Sequence, residues 1–272
     1  MTSAKNFNHY HYQDFYRNRK FLIRVVHLWN WIVLLRNWHL RSRVNRLLNR
    51  KKEKKVLDLG SGDGQYLFYI ARNFPQHHVS ACDRAHENVV FTNSYLGKQV
   101  CDHLDIEKEA LPGNQDVVLL IAVLQYVKDP IKVLTKISKA LNAEGKALLY
   151  VPINGREVIP FYNSVRDRYE HYEITQERKR VYTEDLLKSQ LKQAGLKISH
   201  KEYCVGTFGI LSNELYNLFL LVFAWSNNLV FQILIIYLLL QPLIPILILL
   251  NFIDRLLPKK DGNGLLLEVE KE

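Results

Sequence analysis

Three hydrophobic patterns succeed one another along the chain. In the first, FLIRVVHLWNWIVLLRNWHL, apolar residues recur at helical spacing with arginines between them, which predicts an amphipathic helix. The second is short. Val56, Leu57 and Leu59 form an apolar run that ends against Gly60, as a buried strand does before a turn, and Gln65 to Asn73 (QYLFYIARN) then reads as a helix. His78 to Cys82 (HVSAC) predicts a second strand, closed by Asp83. The third pattern is a run without rhythm. From Leu215 to Ile253 no side chain is charged, and its interior, LVFQILIIYLLLQPLIPILILL, could cross a hydrocarbon core of ~30 Å as a helix.

The chemistry starts between the first strand and its helix. Lys55 to Tyr66 reads KVLDLGSGDGQY, with Gly60, Gly62 and Gly64 spaced two apart. Glycine tolerates positive φ and lets a ligand approach the backbone, and the free N–H groups of the following helix face the same loop. The spacing is not the dinucleotide fingerprint G-x-G-x-x-G, nor does the loop end in the Gly-Lys-Ser/Thr of a P-loop. It therefore points to a different adenosine-bearing cofactor. Asp83 lies about twenty residues beyond the glycines, where a βαβ nucleotide fold places an acid to take two hydrogen bonds from a ribose diol.

With these motifs the chain resembles the class I S-adenosylmethionine-dependent methyltransferases, in particular their broad group of small-molecule and lipid-precursor enzymes. The resemblance runs from about Lys55 to Tyr203, with a last strand near Leu265 to Val269. It implies an α/β fold: a doubly wound, seven-stranded Rossmann-like sheet binding S-adenosyl-L-methionine. By the resemblance, Asp58, Gly60, Ser61, Gly62 and Gly64 hold the methionine end of the cofactor, and Asp83 with its neighbour Arg84 holds the ribose. Asp105 and Ile106 meet the adenine, with Asp102 the competing acid. Ala122 and Gln125, in IAVLQYV, lie beside the transferred methyl. DVVLL (Asp116 to Leu120) matches the fourth strand, KVLTKISKALNAEGKALLYVP a helix, a turn and the fifth strand, and VYTEDLLKSQLKQAG the helix before the sixth. Family members often carry His at the position of Tyr126 or Gln125, so no acid/base role carries over and the catalytic residue stays unassigned. His171, Tyr172, Tyr169 and Glu173 are the nearby candidates for a base.

Charge adds a second layer. The net charge is +10, yet thirteen Lys or Arg against Glu53 alone lie between Arg17 and Lys55, so that stretch carries +12 and the remainder about −2. These basic residues bracket Trp29, Trp31 and Trp38, a composition suited to the headgroup zone of an anionic membrane. A cap helix over the active site is compatible with this, and nucleic acid is the least favoured partner. Cys82, Cys101 and Cys204 show no metal-binding spacing, so neither structural zinc nor any other metal is expected and the thiols should be reduced. The first residues lack an apolar signal-peptide core, which predicts a cytoplasmic chain.

The domain organisation expected is a basic helical arm over 1–50, the methyltransferase core over 51–206, an apolar helical insert over 207–258, and a last strand and tail over 259–272. The insert lies between the sixth and seventh strands of one sheet, so a single membrane crossing is excluded. Breaks expected at Ser226, Asn227 and Asn228 and at Pro242 and Pro245 favour a re-entrant or in-plane hairpin on the cytoplasmic face of a membrane; a hydrophobic oligomer interface is the alternative. The expected function is methyl transfer to a lipid or membrane-partitioned acceptor, such as a quinol precursor. A catalytically idle membrane scaffold and a protein or RNA methyltransferase are the alternatives, the last lacking an Asn-Pro-Pro-Tyr-type motif here.

Overall fold

The computed structural model describes residues 20–48, 52–153, 155–162, 164, 181–224, 230–231, 234 and 236–272. These form two compact units. Of the described residues, one comprises 20–38, 155–162, 164, 203–224, 230–231, 234 and 236–263, and the other 39–48, 52–153, 181–202 and 264–272.

The second unit carries the sheet. Its strands are β1 (Lys55–Leu59), β2 (His78–Asp83), β3 (Cys101–His103), β4 (Gln115–Ile121), β5 (Leu141–Pro152), β6 (Leu196–Cys204) and β7 (Gly264–Lys271), in the order β3-β2-β1-β4-β5-β7-β6. β1 to β5 pair in parallel, and β7 runs antiparallel to β5. The doubly wound, seven-stranded fold expected from the sequence is thus present. Because both faces of the sheet are covered, the central strands are apolar throughout: Leu57, Leu59, Val117, Val118, Leu119, Leu120, Leu148 and Leu149 are all buried. The strand order reverses between β1 and β4, and such a reversal opens a crevice at the strands' carboxyl ends.

Local chemistry sets the helix starts. The helix after β5's predecessor, Pro130–Ala140, begins with Asp129 as N-cap, whose carboxylate accepts from the Lys132 N–H at 3.0 Å, and with Pro130 in its first turn. Glu184–Gln193 begins with Thr183, whose hydroxyl oxygen accepts from the Leu186 N–H at 3.3 Å. The turn expected between Pro130–Ala140 and β5 is instead part of the strand. Gln115 pairs with Leu141 and Val117 with Lys146, so the intervening residues bulge out of register. Gly145 permits this, since a Cβ there would lie 2.6 Å from the Gln115 carbonyl oxygen.

The other unit is helical. We label its helices α1 (Lys20–Val33), α2 (Leu35–Leu48, whose first residues belong here), α3 (Thr207–Ala224) and α4 (Gln241–Leu256). The single amphipathic helix expected over FLIRVVHLWNWIVLLRNWHL is broken at Leu34. The Asn30 carbonyl accepts from both the Leu34 N–H at 3.1 Å and the Asn37 amide at 2.8 Å, and the Trp38 indole donates to the Ile32 carbonyl at 3.0 Å, so side chains bridge the break. The breaks expected at Pro242 and Pro245 are also absent, because α4 runs through both. α4 follows directly on a π-helical turn over Ile236–Leu240, so Pro242 and Pro245 each forgo a backbone bond within a continuous helical path. The break expected at Ser226 to Asn228 lies outside the described residues.

α3 and α4 are antiparallel. Asp254, near the end of α4, accepts from the N–H groups of Gly206 and Gly209 at 3.1 and 2.9 Å, while the Ser212 hydroxyl donates to the Leu247 carbonyl at 3.4 Å. Glu214 is also buried and accepts from the N–H groups of Val158 and Ile159 at 2.9 and 2.7 Å.

Candidate active site

The crevice of the sheet unit is built by the carboxyl ends of β1, β2 and β4. β1 ends in the glycine loop, which is laid over the end of β2: the N–H groups of Gly60 and Ser61 both donate to the Cys82 carbonyl, at 2.8 and 3.1 Å. Gly60, Gly62 and Gly64 all have positive φ, at 70°, 57° and 74°. Two of them also answer close approaches. A Cβ on Gly60 would lie 2.7 Å from Val123 Cγ2, and one on Gly64 3.1 Å from Phe68 and from the Thr92 hydroxyl. Gly62 differs, since nothing lies within 4 Å of where its Cβ would be. Its backbone faces open space.

Asp83 closes the loop from β2. Its Oδ2 accepts from the Gly62 N–H at 2.8 Å and its Oδ1 from the Ala85 N–H at 2.8 Å. A carboxylate has about four acceptor positions, so two remain for the hydroxyls of a diol. Arg84 is exposed, and its carbonyl accepts from His103 at 2.9 Å.

Asp58 lies within β1 and is 1% exposed. Its Oδ2 has no hydrogen-bond partner. Burial, then the negative charges of Asp83 and Asp63, push its carboxyl up to about 7. Such a group is held at a cost unless a cation comes to meet it.

On the far side, β4 ends at Ile121, and Ala122 takes a left-handed φ of 56° while its N–H donates to the Tyr150 carbonyl at 2.8 Å. The Gln125 amide nitrogen donates to the Ala122 carbonyl at 2.9 Å, which fixes the orientation of the amide. Its Oε1 is left buried without a partner. Ile106 is buried, and Asp105 sits in the loop after β3. Burial raises the Asp105 carboxyl, but bonds from Lys108 and the Glu107 N–H outweigh this and hold it below the usual range. That carboxylate accepts from Lys108 Nζ at 3.1 Å and from the Glu107 N–H at 3.0 Å and, like Asp83, keeps acceptor positions for a ligand, with Ile106 beside it as an apolar contact. The competing acid, Asp102, is an exposed position of β3. His171, Tyr172, Tyr169 and Glu173 lie outside the described residues.

Three contributors had no signal in the sequence. Val123 walls the loop at Gly60, Thr92 reaches Gly64 from the helix after β2, and buried Tyr182 donates to the Leu124 carbonyl at 3.5 Å. Each is an ordinary residue whose role exists only through a partner far away in sequence. The thiols of Cys82 and Cys101, behind the loop, are pushed up to about 12 and about 11, chiefly by burial, and stay protonated.

A family model described as a methyltransferase domain matches residues 35–201, more than half of the chain. The chain belongs to that methyltransferase family. No curated protein matches it. Among solved structures, the methyltransferase is similar to the [4+2]-cyclase SpnF, at 14% identity and a TM-score of 0.56 over 86% of this chain and 80% of that one. It is similar to a putative sarcosine dimethylglycine methyltransferase from Galdieria sulphuraria, at 14% identity and a TM-score of 0.55 over 86% and 84%. An O-methyltransferase from a trans-AT polyketide synthase of Brevibacillus brevis, in complex with S-adenosyl-L-homocysteine, follows at 18% identity and 0.51 over 89% and 78%. The chain spans 49% of the length of the mitomycin 7-O-methyltransferase MmcR. At such identities these likenesses show the fold.

The cofactor of this family is S-adenosylmethionine, and the crevice fits it. An orphaned buried carboxylate oxygen on Asp58 suits a cationic end, and the open space over Gly62 suits close backbone approach. The cofactor supplies a methyl group on positive sulfur, which is already a good leaving group. The protein's part is to align and to exclude water. Asp58 would hold the methionine end and Asp83 the ribose, while the buried amide oxygen of Gln125 can accept a hydrogen bond from a ligand in the crevice.

Proposed function

We propose that this methyltransferase acts on a lipid or another membrane-partitioned small molecule, at the cytoplasmic face of a membrane. The observation that carries this reading is the exposure of the apolar insert. Tyr237–Leu256 is long and apolar enough to cross a membrane, with a mean hydropathy of 1.8, and only 17% of it is buried. Tyr237, Leu238, Leu249, Phe252 and Leu256 are each more than half exposed. A soluble chain with so much contiguous apolar surface would associate or aggregate, so an apolar phase must receive it. The basic stretch from Arg17 to Lys55 supports an anionic surface as that phase.

Incubating the purified protein with methyl-labelled S-adenosylmethionine and a total membrane extract should place label in the organic phase. Lipids of a deletion strain should lack a species that the wild type has, or accumulate one lighter by a methylene. Label confined to water-soluble products would reject the lipid acceptor and leave the methyltransferase standing.

A further inference from the structure

We propose that α4 docks side-on, lying in the plane of a single leaflet of an anionic bilayer rather than entering it end first. This rests on the membrane reading above and specifies its geometry. Ile246, Leu249, Phe252 and Leu256 are 48%, 57%, 53% and 68% exposed. Their spacing of three or four residues puts them on one face. That face continues backward into Leu238 and Leu239 of the π-helical turn and forward into Leu257, all exposed. The stripe therefore runs the whole length of the helix, ~24 Å for sixteen residues.

The opposite face is already occupied. Leu247, Asn251 and Asp254 are buried, with Asn251 donating to the Val33 carbonyl of α1 at 2.7 Å and Asp254 accepting from Gly206 and Gly209 at the start of α3. Lys259 also bonds to Asp254. A helix that entered the membrane lengthwise would carry this buried carboxylate and amide down one side. A helix lying flat keeps them on the protein side and gives only the stripe to lipid, which is how interfacial amphipathic helices bind.

Charge selects the occupant. Arg255 and Lys260 stand at the end of the stripe, where Lys259 is held by Asp254, and α1 exposes Val25 and Leu28 beside Arg24. A second copy docked through the same stripe would bring its own Arg255 and Lys260 to that seam. An anionic leaflet offers hydrocarbon to the stripe and negative headgroups to its basic flank.

The test uses full-length protein, delivered from mild detergent to vesicles of phosphatidylcholine alone or with about a third phosphatidylserine, at low and high salt. Flotation should favour the anionic vesicles at low salt, and Leu249→Glu with Phe252→Glu should weaken binding by about tenfold or more. The comparable change Leu186→Glu, on an exposed position of Glu184–Gln193 in the other unit, should not. Depth is then read from fluorophores at Leu238→Cys, Leu249→Cys and Leu256→Cys, quenched by lipids brominated at two chain positions. Equal shallow depth at all three supports side-on docking. A depth that increases steadily from one end to the other overturns it, as does a detergent-free oligomer that ignores vesicles. S-adenosylhomocysteine binding by each variant confirms that the sheet unit is folded. Shallow docking without any labelled lipid product would refute the proposed acceptor and leave the docking intact.

Discussion

Asp58→Asn should stabilise the folded protein at pH 8 and do nothing at pH 4. The carboxyl is raised from 3.8 to about 7, chiefly by burial. That rise of about three units corresponds to ~4 kcal/mol against the ionised form. Its sign follows from where each state holds the proton. Below the unfolded value both states are protonated and nothing is lost; between 3.8 and about 7 the unfolded chain releases its proton first, so stability falls as pH rises; above about 7 the full penalty stands. The neutral amide escapes that penalty. Denaturant unfolding of both proteins at pH 4.5, 6, 7 and 8 should show a gap that opens with pH toward at most ~4 kcal/mol. Ligand binding should show the reverse preference. A cationic ligand end favours the ionised carboxylate, so calorimetric affinity for S-adenosylhomocysteine should drop about tenfold per pH unit below 7 in the wild type and stay flat, and weaker at pH 8, in Asp58→Asn. A stability gap that is constant from pH 4.5 to 8, or a variant less stable at pH 8, would refute the reasoning.

Gly60→Ala forces a left-handed φ on alanine, at roughly 1–2 kcal/mol, and meets Val123 at 2.7 Å. S-adenosylhomocysteine affinity and melting temperature should both fall; adding Val123→Ala should restore part of each, and no restoration would mean that the contact is immaterial. Asp254→Ala leaves the N–H groups of Gly206 and Gly209 without an acceptor, at ~2–4 kcal/mol, so proteolysis between 203 and 263 should speed up while S-adenosylhomocysteine affinity holds within about twofold. Asp254→Asn, which keeps one acceptor oxygen, should fall between; protease resistance equal to wild type in both would show that the clasp carries no stability.

Much of the sheet unit could be read from residue order, because its signals are local. The apolar run into spaced glycines predicts β1 and its loop, the helix over Gln65–Asn73 falls where its periodicity places it, and β7 extends the expected Leu265 to Val269 by one residue at its start and two at its end. Strand burial and glycine φ depend on near neighbours, which a sequence displays. What tertiary structure alone decided depends on distant ones. The Asn142 to Gly145 stretch looks like a turn, yet becomes a bulge because Gln115 supplies a strand to lie against. Pro242 and Pro245 look like breaks, yet the helical path runs from the π-helical turn through both. Asp254 and Glu214 read as the charged residues bounding an apolar run, and only the pairing of α3 with α4 and with residues 158 and 159 makes them buried clasps. The acidity of Asp58 belongs to the same class. Its position in β1 is written in the sequence, but its proton affinity is set by the burial and the two carboxylates that the fold brings to it.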